Sequence, residues 1–281
     1  MNWPAPAKLN LFLHITGRRE DGYHELQTIF QFIELVDQLT FVVREDGVIT
    51  RPQGLAGVPE EQDLVVRAAR LLQQQTETPW GAEIRVKKVI PAGGGLGGGS
   101  SDAATTLVAL NQLWNTGLSE DALAALGVQL GADVPIFVRG LAAWAEGVGE
   151  KLTPVKPPEP WYLVVSPEVA VSTIEIFQSK ELTRNTSKAK IRGFLPDGGR
   201  NDCESVVVAR YPKVGKALQW LSQFGEARMT GTGSCLFVAM EDREAAEAVK
   251  EQLPTQWKGF VVKGVNKSPL MAQLKEYSGV V

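Results

Sequence analysis

The chain of 281 residues is 44% hydrophobic and 22% charged, enough apolar material for a core in about two domains, and this balance excludes a fibrous or disordered protein. Its 29 basic and 32 acidic side chains leave a net charge of −3 with no basic stripe, so nucleic acid is not an expected partner. No apolar run approaches the roughly 18–20 residues that span a bilayer, and Cys203 and Cys235 are too few and too far apart for a disulfide framework or a metal-binding pair, so no membrane partner is expected.

Residues 7–15 alternate with period two, Ala7, Leu9, Leu11, Leu13 and Ile15 on one face and Lys8, Asn10, Phe12 and His14 on the other, which predicts a strand with one polar face. Asn10 and His14 also interrupt the apolar stretch that a signal peptide would need. The N-terminus therefore reads as mature sequence and the expected compartment is the cytoplasm, or the plastid stroma for a plant source, although no transit peptide is seen. A turn over 17–22 leads into two strands, 27–35 and 39–44, with Val36, Asp37 and Gln38 between them. A helix over 63–75 with Asp63 as its N-cap follows, then a strand over 81–90. Beyond a glycine-rich loop the spacing predicts a helix over 103–114, closed by Asn115, Thr116 and Gly117, and another from Ser119 to near Gly131.

Pro154, Pro157, Pro158 and Pro160 favour an extended linker, which divides the chain into domains 1–153 and 160–281. The second half predicts strands over 161–165, 236–240 and 259–262 and helices over 203–210, 213–224 and 243–253. The fold class expected is α+β.

In the loop, six of the seven residues 93–99 are glycine, which is entropically costly to order. Such a loop brings backbone N–H groups together without Cβ interference, and Ser100, Ser101 and Asp102 are expected to cap the next helix, whose N-terminus favours a phosphate. A flexible linker is the alternative, but linkers rarely run directly into so regular a helix. No Gly-Lys-Ser/Thr follows, so the loop is not a Walker A motif. The GxGxxG at Gly93, Gly95 and Gly98 is followed by two helices rather than a second parallel strand, which argues against a dinucleotide fold.

The loop resembles that of the GHMP small-molecule kinases, Pro-x-x-x-Gly-Leu-Gly-Ser-Ser-Ala, in Pro91, Gly95, Leu96, Gly97, Ser100, Ser101, Ala103 and Ala104, with Gly98 and Gly99 inserted. Segments 5–26, 130–140, 200–204 and 230–235 resemble the same family in family order. The resemblance implies a two-domain fold, an N-terminal nucleotide-binding domain like domain 2 of ribosomal protein S5 and a C-terminal ferredoxin-like domain, with the active site in the cleft between. It implies ATP and Mg2+ as cofactors, with Pro91, Gly93, Gly94, Gly95, Leu96, Gly97, Gly98, Gly99, Ser100 and Ser101 on the nucleotide and Ser101 also on the metal. The fuller matches are to family members whose acceptor is the 2-hydroxyl of cytidine-diphospho methylerythritol, and that is the small-molecule partner implied.

Phosphoryl transfer to an alcohol needs held phosphates, a cation and a carboxylate beside the hydroxyl. Lys8 is either a solvated strand charge or a cation aimed into a cleft, and the resemblance implies a catalytic lysine, with Asn10 on the substrate about 7 Å along the same face. Asp133 reads as the N-cap of a helix with Pro135 just inside it, or, by resemblance, as the catalytic carboxylate that faces the acceptor hydroxyl and pairs with the lysine. Since the hydroxyl proton leaves late from a loose transition state, it would orient the nucleophile as much as deprotonate it.

Tyr23 and His24 are surface-loop residues or, by resemblance, hold the cytidine, one ring stacking and the histidine reading the base edge, with Phe177 on the other side and Thr173 also on the substrate. Gly231 and Gly233 form either a hairpin or the family's glycine turn near the acceptor. His14 has no implied role. Asp63 stands where related sequences often have Asn, so no adenine-side contact is carried over to it from the resemblance. The alternatives are a homoserine- or mevalonate-type kinase, which would not need Tyr23, His24 and Phe177, and a non-catalytic nucleotide binder, which would not need Lys8 and Asp133. Oligomeric state is left open.

Overall fold

The computed structural model describes residues 2–54, 57–190 and 199–279. Two long strands, β1 (Asn2–Arg18) and β2 (His24–Arg44), pair antiparallel along most of their length, with register shifts at Pro6/Ala7, Asn10/Leu13 and Ile15/Gly17. The alternation in β1 does not mark one wet face. Lys8 and Asn10 are 3% and 4% exposed, so the polar face is itself covered and its polar groups must find partners inside. Residues 36–38, expected to separate two strands, lie within the single strand β2. Asp37 is fully buried there, accepts from the backbone N–H groups of Val89 and Ile90, and pairs with Lys88. That carboxylate fastens the segment entering the glycine loop to the sheet, so a polar residue that reads as a turn signal is a tether instead.

The chain continues through β3 (Ile49–Thr50), α1 (Leu64–Thr76), β4 (Gly81–Lys87), α2 (Gly98–Leu113), α3 (Glu120–Leu130), α4 (Val134–Arg139), β5 (Ala143–Glu146) and β6 (Lys151–Pro154). The second half comprises β7 (Trp161–Ser166), α5 (Thr173–Gln178), α6 (Glu204–Arg210), α7 (Pro212–Leu221), β8 (Arg228–Met229), β9 (Leu236–Met240), α8 (Arg243–Lys250), β10 (Lys258–Val265) and α9 (Pro269–Ser278). One sheet runs in the order β3-β4-β2-β10-β7-β9-β8, with β1 and β5 also on β2 and β6 on β5. The halves join where Gly264 and Val265 of β10 pair with Ile33 and Phe32 of β2.

Helices α1 to α4 cover the first half over a core that includes Phe32, Leu39, Ile84, Leu107, Leu110 and Phe137. A second core lies against α6 and α7, built on Leu163, Val165, Val207, Leu221, Leu236 and Val238. A third, with Ala7, Leu9, Ile33, Leu96, Cys235 and Phe237, sits beneath the glycine loop and draws on both halves. The proline-rich stretch is pinned rather than free, since Gln31 Nε2 donates to the Pro158 carbonyl and Asn266 Nδ2 to that of Pro157. Past β10, α9 returns to the first core, burying Leu270 and setting Tyr277 against Trp3 with ring centroids 5.6 Å apart.

Candidate active site

The glycine loop is held from behind through its carbonyls. Gly94 O accepts from Cys235 N at 3.0 Å, Gly95 O from Lys8 Nζ at 3.0 Å and Thr230 Oγ1 at 3.3 Å, and Leu96 O from Lys8 N at 3.0 Å. With the carbonyls turned inward and Gly93, Gly95 and Gly97 all at positive φ, none of residues 93–97 donates a backbone hydrogen bond to a described residue. The outward N–H groups form an anion-binding nest that runs into the first turn of α2, where three more N–H groups lack helical acceptors.

The capping expected of Ser100, Ser101 and Asp102 does not occur. The N-cap is Gly97, without a side-chain bond, and α2 starts five residues earlier than the expected 103, at Gly98. The physical reason is the left-handed φ of +73° at Gly97, which turns the chain into the helix without a capping side chain and leaves the first N–H groups unclaimed. A Cβ at Gly97 would lie 2.8 Å from Phe137 Cζ, so the loop also needs glycine for close packing.

Lys8 reaches this loop from β1. Its ammonium, besides Gly95 O, bonds Asn10 Oδ1, lies 3.4 Å from Asp133 Oδ2 and stands 5.3 Å from the Phe30 ring centroid. Asn10 is fixed in turn, its N–H donating to Thr230 Oγ1 and its amide to Thr28 Oγ1, both at 2.9 Å. Asp133 holds the N-cap position of α4 but makes no capping bond; its carboxylate, 35% exposed, faces Lys8 instead. The solvated-charge reading of Lys8 and the capping reading of Asp133 both fail against this geometry.

A cavity of about 910 Å³ opens in front of these groups. Its wall contains Lys8, Asn10, Tyr23, His24, Pro91, Gly93, Gly94, Gly95, Leu96, Gly97, Gly98, Gly99, Ser100, Asp133, Thr173, Phe177, Gly231 and Gly233, so nearly every residue singled out in the sequence meets here. Ser101 does not. It is fully buried and its hydroxyl has no hydrogen-bond partner among the described residues, whereas Ser100 lines the cavity. Asp63 is turned away as well, N-capping α1 through Val65 N and pairing with the buried Arg51.

At the far end the His24 and Phe177 rings stack with centroids 5.1 Å apart and 23° between planes, while Tyr23 is 64% exposed on the rim. Thr173 and Thr232 share a hydrogen bond of 2.9 Å that ties the start of α5 to the glycine turn. Burial lowers the His24 pKa from its ordinary 6.5, and the guanidiniums of Arg184 and Arg18 lower it further. Sequence reasoning missed Arg18, Lys88, Ile174 and Thr232, all on the cavity wall, and Arg184 behind it. Lys88 bridges the buried Asp37 and Asp102. Burial pushes the Asp102 carboxyl up against the pull of Lys88; desolvation lowers the Lys88 ammonium, but the two carboxylates outweigh it and hold that pKa raised. Beneath the loop, burial raises the Cys235 thiol to about 12, which leaves it protonated and a packing group.

An N–H nest for phosphates, with a lysine and an aspartate at one end of a cleft between two α+β lobes, defines a small-molecule kinase. Residues 63–141 match the family described as GHMP kinases N terminal domain and residues 181–259 that described as GHMP kinases C terminal, and the chain belongs to the GHMP kinases. It is 59% identical over 274 residues to the 4-diphosphocytidyl-2-C-methyl-D-erythritol kinase of Nitrosococcus oceani, covering 98% of each chain. It is 56% identical over 272 residues to the enzyme of the same name from Pseudomonas fluorescens, covering 97% of this chain and 96% of that one. A crystal structure of 4-(cytidine 5'-diphospho)-2C-methyl-D-erythritol kinase superposes with a TM-score of 0.84 at 32% identity over 94% of this chain and 99% of that one. A mevalonate kinase superposes with a TM-score of 0.66 at 17% identity, covering 95% of this chain and 100% of that one, and shares the fold. Among the described residues no helix is long and apolar enough to cross a membrane.

Proposed function

We propose that this chain transfers the γ-phosphoryl group of ATP to the 2-hydroxyl of 4-diphosphocytidyl-2-C-methyl-D-erythritol, giving the 2-phosphate and ADP, a step of the non-mevalonate route to isoprenoid precursors. The observation that carries the reading is that one cavity holds a phosphate nest and the Lys8–Asp133 pair at one end and the Tyr23, His24 and Phe177 rings at the other. A homoserine or mevalonate acceptor has no planar base to use the second end. A pure nucleotide binder has no use for a buried ammonium aimed at a half-exposed carboxylate.

In this reading the loop N–H groups hold the nucleotide phosphates, and Lys8, fixed by Gly95 O and Asn10, stabilises charge on the transferred group. Asp133 accepts the hydroxyl hydrogen bond, aligns the oxygen and takes up the proton as the bond to phosphorus forms. Thr173, Gly231 and Gly233 shape the acceptor wall. The lobe up to residue 153 supplies the nucleotide loop together with Lys8, Asp133, Tyr23 and His24, and the lobe from 160 adds Thr173, Phe177, Gly231 and Gly233 on the acceptor side, with α9 bracing the first.

Mg2+ fits as an ion carried by the nucleotide. Among the described residues no cluster of three His, Cys, Asp or Glu could cage a metal, and Ser100, in the first turn of α2, lines the cavity. Since Ser101 is sealed from the cavity, Ser100 is assigned the metal contact in its place. When bound, the ion neutralises charge on the β- and γ-phosphate oxygens. The test is ADP release with MgATP and four acceptors: the cytidine-diphospho methylerythritol, methylerythritol phosphate, mevalonate and homoserine. Turnover with the first alone is expected; turnover with another in its place refutes the substrate assignment.

A further inference from the structure

Arg184 lies outside every motif read from the sequence, yet its guanidinium joins both walls of the aromatic pocket. Its Nε–H donates to His24 Nε2 at 3.0 Å, Nη1 donates to the Leu182 carbonyl at 3.1 Å, and Nη2 to the carbonyls of Phe177 at 3.0 Å and Ser179 at 2.5 Å. Arginine has donors and no acceptor, so the imidazole nitrogen that meets it must supply the lone pair. A neutral imidazole that accepts at Nε2 carries its proton on Nδ1. Among the described residues Nδ1 has no hydrogen-bond partner, it is not among the sealed polar atoms, and His24 lines the cavity. The ring therefore presents an N–H donor to whatever occupies the pocket. The offset stack on Phe177 leaves part of that face for a second planar group lying edge to edge with the imidazole.

We propose that Arg184 is a positioning residue that selects the base, locking His24 in the Nδ1–H tautomer and fixing the Phe177 backbone so that the pocket takes cytosine and rejects uracil. The proposal rests on the cytidine-diphospho reading given above. Cytosine offers N3 and O2 as acceptors, whereas uracil carries a proton on N3. A donor from His24 pairs with cytosine N3 and meets the uracil N3–H head on; the opposite tautomer would reverse the preference. The lowered His24 pKa acts in the same sense, keeping one proton on the ring at neutral pH, and Arg18 is the other cation contributing to it.

The test uses the full chain with 15N-labelled histidine, which contains only His14 and His24, so each ring can be followed. Imidazole 15N shifts should place the His24 proton on Nδ1 in the wild type. A proton on Nε2 there overturns the proposal whether or not any variant folds. In Arg184→Met the tautomer preference should be lost. The ratio of kcat/KM for the cytidine-linked acceptor over its uridine-linked analogue should fall by about tenfold, through KM for the acceptor, with kcat and KM for ATP changed less than about threefold. Arg184→Lys, which keeps a cationic donor on a single nitrogen, should recover part of the ratio. An unchanged tautomer and ratio in Arg184→Met overturns the proposal. A wild type that uses both acceptors equally refutes the cytidine reading instead, and the tautomer measurement still decides whether Arg184 sets His24.

Discussion

Lys8 and Asp133 lie 125 positions apart in the chain, 8 to 133, and 3.4 Å apart in space, with Asn10 and Gly95 O completing the lysine's shell. Asp133→Asn keeps the size and loses the negative charge, so turnover should drop on the order of 10²-fold or more while ATP binding, measured by titration, stays unchanged. Unchanged turnover would remove Asp133 from the mechanism. Tyr23→Ala should raise KM for the cytidine acceptor well above any change in KM for ATP, and equal effects would undo the stacking role. The motif-borne residues were legible because they fall in segments that resemble the family's motifs; residue type and spacing alone left each with a structural alternative. Arg184 was not, because its meaning depends on a partner 160 positions away, and Ile174 is 68% exposed on the rim with no pattern to mark it.

At the scale of elements, the binding proposed for the glycine loop rests on its backbone N–H groups. Gly97→Ala would place a Cβ 2.8 Å from Phe137 Cζ at a φ of +73°, so it should cost about 1–3 kcal/mol in a urea titration and raise KM for ATP. Unaltered stability and KM would show that the loop tolerates a side chain there. The alternation of β1 and the spacing of α1, α2 and α3 were readable as local periodicity. The continuity of β2 was not, since Asp37 is polar in sequence and is satisfied by Lys88, Val89 and Ile90, some fifty positions on, in the connection after β4. The short α5, the β5–β6 hairpin and α9 escaped notice because their stability comes from what they pack against, Leu270 of α9 on the first core being the example.

For the whole molecule, β10 on β2 and α9 on the first core bind the two halves into one body around the cleft. Both histidines lie in this body with pKa values lowered from 6.5, burial being the leading cause for each. The unfolded chain then takes up protons first, so their contribution to stability is present above about pH 6.5 and is lost as the pH falls through their folded values. The buried carboxyls of Asp102 and Glu204, whose pKa values are raised, act in the opposite sense, so the histidine contribution is read as a difference. From about pH 7.5 to about pH 5.5 the urea midpoint of the wild type should fall relative to that of a variant with both histidines replaced by Gln, and midpoints that stay parallel would show that the histidines do not contribute. The destination of the phosphoryl group can be followed by 31P NMR of the mixture with MgATP and cytidine-diphospho methylerythritol. Transfer to the acceptor predicts one new phosphomonoester resonance growing with ADP while the acceptor's diphosphate stays intact. Inorganic phosphate in its place, or ATP left unconsumed, would contradict it.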